Sequence, residues 1–81
     1  MPRWTRTVNI KTFLDATQPA GVVAKRIRAK LVAAFSVPGF ELGSIIGDFE
    51  DVQTIEECDD VLERLYDWAD ANDVWLGLKT N

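Results

Sequence analysis

Apolar side chains recur along this chain with two different periods, and an element should end wherever the period changes. Between residues 54 and 72, Ile55, Cys58, Leu62, Leu65 and Ala69 fall three and four apart, with Val61 and Trp68 widening the seam. That spacing gathers them on one face of an α-helix. Thr54 and Glu57 form a capping-box pattern at its start, and Asn72 suits its C-terminal end. A second helical run covers residues 19–35, with Ala20, Val23, Ala24, Ile27, Leu31, Ala34 and Phe35 on its apolar face. Thr17 or Gln18 serves as its N-cap. Pro19 sits in the first turn, where its missing N–H costs nothing, and Pro38-Gly39 ends the run.

The other segments alternate. In residues 74–78, Val74, Leu76 and Leu78 share one strand face and Trp75 takes the other. Between the two helices, Gly43-Ser44 suits a two-residue turn with glycine first. The resulting hairpin sets Phe40, Leu42, Ile45 and Phe49 on one face and Glu41, Ile46 and Asp48 on the other. Residues 4–10 alternate with Val8 and Ile10 inward and predict a strand followed by an irregular turn. The competing reading is a short helix over residues 9–16, built on Ile10, Phe13 and Leu14.

Strand, helix, hairpin, helix, strand is the order of the split βαβ arrangement. The expected fold is therefore α+β: a ferredoxin-like sandwich, two helices on one face of a three- or four-stranded antiparallel sheet, in a single domain of 81 residues. That architecture hosts unrelated activities and says little about function.

Composition narrows the chemistry. A hydrophobic fraction of 47% and three Trp residues argue against disorder. The chain has no His, which removes the commonest general base and metal ligand. Its one cysteine, Cys58, cannot form an intramolecular disulfide and belongs to the buried seam. Gly39, Gly43 and Gly47 recur every four residues without phosphate-cradling spacing. The acids Asp48, Glu50, Asp51, Glu56 and Glu57 lack the ordered spacing and central glycine of a calcium loop. No catalytic residue, cofactor or metal is expected, and the chain reads as a non-enzyme. No segment approaches the ~20 apolar residues of a membrane span, and the first residues lack an apolar run of signal-peptide length. A cytoplasmic protein, or one acting in a host's cytoplasm, is the expectation.

Charge changes the picture most. Residues 1–40 carry seven Lys/Arg and one acid, for +6, whereas residues 41–81 carry twelve Asp/Glu and two bases, for −10, giving −4 for the chain. On the helix over residues 54–72, Glu56, Asp60, Glu63, Asp67 and Asp70 are spaced four, three, four and three apart, so all five carboxylates share a face. Like charges so placed repel. The plain explanations are a solvated face, or pairing with the basic flank Lys25, Arg26, Arg28 and Lys30 of the neighbouring helix. Surface pairs contribute only ~0–1 kcal/mol each, too little to account for so many acids.

The sharper explanation is a docking face for a basic protein, whose groove for nucleic acid the carboxylates would imitate. The chain is similar in size and charge to small acidic proteins that block nucleic-acid-handling machinery, phage antagonists of bacterial defence among them, although no motif carries the likeness. Trp75, with Ile46 on the open sheet face, is the expected apolar anchor. The alternative from another class is a self-associating structural or adaptor subunit, a homodimer through that sheet face. Direct nucleic-acid binding through Lys25, Arg26, Arg28 and Lys30 is a weaker alternative, because overall charge and the acidic outer residues of the expected third strand oppose it.

Overall fold

The computed structural model describes residues 5–14 and 17–77. Among these, the chain forms a strand β1 (Arg6–Thr7), a 3₁₀ turn (Lys11–Phe13), helices α1 (Ala20–Ala34), α2 (Gly39–Glu50) and α3 (Ile55–Ala71), and a strand β2 (Val74–Trp75). β1 and β2 pair in parallel, Arg6 opposite Val74 and Thr7 opposite Trp75. The ferredoxin-like expectation is overturned: among the described residues there is no three- or four-stranded antiparallel sheet, only this two-stranded parallel ribbon. Parallel neighbours need a long crossover, and all three helices supply it.

The decisive difference lies in residues 39–50, where the expected hairpin is a helix. Leu42, Ile45, Ile46 and Phe49 are spaced three, one and three apart and are all buried. Burying such a side chain contributes roughly 1.5–3 kcal/mol, while a helical glycine costs about 1 kcal/mol relative to alanine. Four buried side chains outweigh Gly43 and Gly47 inside the helix. A hairpin would have left Ile46 outside, and an isolated two-stranded hairpin is marginal in water. Gly39, with φ +81°, provides the left-handed residue at which the chain enters α2.

The other two helices follow their apolar periods. α1 buries Val23, Ala24, Ile27 and Leu31. It starts after Pro19 with no side-chain cap, so neither Thr17 nor Gln18 fills that role, and it ends at the expected Phe35. α3 buries Cys58, Val61, Leu62, Leu65 and Ala69. The two ends of the chain close the core. Val8, Ile10, Val74 and Leu76 are buried on the inner side of the ribbon, as their alternation predicts. Thr5 N–H donates to Asp73 O at 2.7 Å, Val8 N–H to Trp75 O at 2.7 Å, and Ile10 N–H to Leu76 O at 3.0 Å. The strand expected over residues 4–10 thus shrinks to Arg6–Thr7, followed by the 3₁₀ turn. Trp4 and Leu78 lie outside the described residues.

Candidate functional site: an acidic helix face

α3 is anchored at both ends before it presents anything. Glu57 N–H donates to Thr54 Oγ1 at 3.2 Å, and Thr54 N–H donates to Glu57 Oε1 at 3.1 Å, which completes the capping box. At the other end Asn72 Nδ2 donates to Trp68 O at 2.8 Å. Caps and a buried seam together make a stiff rod whose outer face is set by the same residues that bury its inner one.

On that outer face Glu56, Asp60, Glu63 and Asp67 are exposed. They span about 16 Å at 1.5 Å per residue. Asp70, the fifth acid of the expected stripe, is half-buried and interacts with another group of the chain. The column is therefore four carboxylates, with Asp70 at its margin.

The cations go elsewhere. Arg64, on the flank of α3, pairs with Asp48 of α2. Arg28 of α1 reaches Glu50 of α2, Nη2 to Oε1 at 2.6 Å. In place of a pairing between the α1 basic flank and the stripe, Arg28 alone of that flank pairs among the described residues, and with α2, which packs against α1. Lys25, Arg26 and Lys30 are exposed on α1. None of the ion pairs among the described residues involves Glu56, Asp60, Glu63 or Asp67.

The apolar anchor is not where the strand pattern placed it. Ile46 is only 7% exposed and faces the core, since residues 39–50 form a helix and not a strand. Trp75 is half-buried in β2, opposite Thr7. Phe40, assigned by alternation to the inner face of a hairpin, is instead 93% exposed in the first turn of α2. Read with period 3.6, Phe40 falls nearly opposite the face of Leu42, Ile45, Ile46 and Phe49, a signal present in the sequence once a helix is assumed. Val37, two residues before α2, is 88% exposed.

Three depressions adjoin α3. One of about 430 Å³ runs between the start of α2 and the end of α3, with Phe40, Glu41, Asp67 and Trp68 among its walls. A shallower one of about 260 Å³ gathers Asp48, Asp51, Glu57, Asp60 and Arg64. The third, about 350 Å³, is lined by Leu14, Ile55, Cys58 and Tyr66 on the side toward α1. Cys58 is buried there, and burial, with Asp59 beside it, pushes its thiol above the ordinary range. That is the opposite of an activated nucleophile. Tyr66 is shifted upward by the same two causes, with Cys58 adding to them. Among the described residues, no group of three or more His, Cys, Asp or Glu side chains is arranged to hold a metal ion. None of the described helices is long and apolar enough to cross a membrane.

Comparison with known proteins finds no matching family model, no similar curated protein and no similar solved structure.

Proposed function

We propose that this protein is a non-enzymatic protein-binding module, an inhibitor or regulator, whose α3 docks its acidic face on a basic protein that handles nucleic acid. The observation that carries the reading is the column Glu56, Asp60, Glu63 and Asp67, exposed on a doubly capped helix and without ion pairs to the cations of α1 or α3. Such a column costs the helix stability through like-charge neighbours, about 0.2–0.5 kcal/mol per pair. A cationic partner offsets that cost on binding and is steered toward the face over distances set by ionic strength. This role places the protein in the cytoplasm, where its partners act.

The proposal is tested by capture of proteins from a cell lysate at about 50 mM and about 500 mM salt, with and without duplex DNA as competitor. Basic nucleic-acid-binding proteins retained at low salt, released at high salt and displaced by DNA are the expected result. Retention that ignores both salt and DNA would contradict it. The homodimer alternative through a sheet face is less favoured, because among the described residues the sheet is a two-stranded ribbon and Ile46 is buried in α2. Direct nucleic-acid binding through the exposed Lys25, Arg26 and Lys30 would appear in the same experiment as DNA retained by the protein itself.

A further inference from the structure

Phe40 is the most exposed large hydrophobic side chain among the described residues, at 93%, with Val37 three residues earlier at 88%. Removing a phenylalanine from water is favourable, and the folded chain leaves that gain unused at its surface. Scattered exposed hydrophobics are ordinary. Phe40, however, borders the groove of about 430 Å³ between α2 and α3, where the half-buried Trp68 forms part of the opposite wall. Charge decides what kind of occupant fits. Glu41 and Asp67 line the groove, and its one cation, Arg64, is already engaged by Asp48. Glu63, one turn before Asp67 on the same face of α3, is exposed and carries the negative charge beyond the groove. The groove is therefore apolar at its walls and net negative at its rim.

We infer that this groove is the seat of a cationic amphipathic helix belonging to the partner protein. This rests on the reading of α3 above and specifies the partner segment: an apolar side chain packs between Phe40 and Trp68, while Lys or Arg residues on neighbouring turns meet Glu41, Asp67 and Glu63. The acids supply steering and register, and the aromatic pair supplies the buried contact that holds the complex, a division common at interfaces. The column from Glu56 to Asp67 runs about 16 Å, so the matching segment is about three helical turns long.

The test uses two synthetic peptides of identical Lys/Leu composition, one patterned as an amphipathic helix and one scrambled. Binding is followed by fluorescence anisotropy at low salt to the wild-type protein, to Phe40→Ala and to Glu63→Lys/Asp67→Lys. The patterned peptide should bind wild type about tenfold more tightly than the scrambled one, an advantage that Phe40→Ala removes and charge reversal leaves on a weaker baseline. Phe40 makes no buried contact, so the alanine variant should keep the wild-type circular dichroism. Equal affinity for the two peptides, or an advantage that survives Phe40→Ala, overturns the groove but leaves the acidic face standing. Failure of wild type to bind either peptide sinks both. A concentration-dependent dimer in sedimentation that Phe40→Ala abolishes would assign the groove to a second copy of the chain and overturn the inference.

Discussion

Arg6 ties β1 to the end of α1. Its Nη1 donates to Ala34 O at 2.9 Å, satisfying a carbonyl at the C-terminal end of α1, and its guanidinium lies 4.8 Å from the centre of the Phe35 ring. Phe35 in turn meets Trp68 of α3 edge to face, with centroids 5.4 Å apart. This stack adds a link from β1 through the end of α1 to α3, beside the shared core. Arg6→Ala should lower unfolding free energy by about 1 kcal/mol in urea titrations, and Arg6→Lys should recover only part of it, because lysine lacks the planar guanidinium. Cys58 gives a second prediction. Its thiol stays neutral in the folded chain to a higher pH than in the unfolded one, so above pH 9 only the unfolded state loses the proton readily. The contribution is complete below pH 9 and declines as pH rises through the folded-state value. The urea midpoint should fall as pH rises above 9 in wild type and fall less steeply in Cys58→Ala. An identical slope in the variant would assign the alkaline loss to other groups.

At the scale of elements, α2 shows both what the pattern conceals and why. Gly43-Ser44 satisfies the chemistry of a tight turn, and Phe40, Leu42, Ile45 and Phe49 fall on one face of the hairpin it would make. The same residues satisfy a helix with Ile46 included, and one more buried isoleucine decides the outcome. Local turn chemistry and tertiary burial disagree here, and burial wins. Where they agree, as in the Thr54–Glu57 box, the Asn72 cap and the inner residues Val8, Ile10, Val74 and Leu76, the element was legible from composition and spacing alone. Gly43 and Gly47 have nothing within 4 Å of where a Cβ would sit, so no contact within the chain requires them. Gly43→Ala should therefore stabilise the protein by about 0.5–1 kcal/mol in denaturant titrations. Gly39→Ala should destabilise it, because φ is +81° there. A hairpin would give the reverse order, since its turn would need glycine at residue 43 and not at residue 39.

Across the described residues, the ion pair of Arg28 with Glu50 joins the basic first half of the chain to the acidic second half. The cations of α1 meet α2 through Arg28 and Glu50, while α3 keeps its acids on the outside. The acidic column was readable because it depends only on one helix, whose period and caps are strong. The apolar partner of that column was not. Placing Ile46 and Trp75 on an open face required a sheet, and the chain instead spends its alternating segments on a short ribbon that closes the core with its two ends. Phe40 came to the surface by the same change. The proposed site is thus half electrostatic and legible locally, half apolar and decided by how the helices pack.

The most direct measurement compares wild type with a variant in which Glu56 and Glu63 become Gln and Asp60 and Asp67 become Asn. These replacements keep shape and remove charge, and they relieve the repulsion between neighbours along the face. Lysate capture at low salt should lose its basic, DNA-displaceable proteins, while the melting temperature stays equal to that of wild type or rises by a few degrees. An unchanged set of captured proteins on the neutralised face would contradict the account.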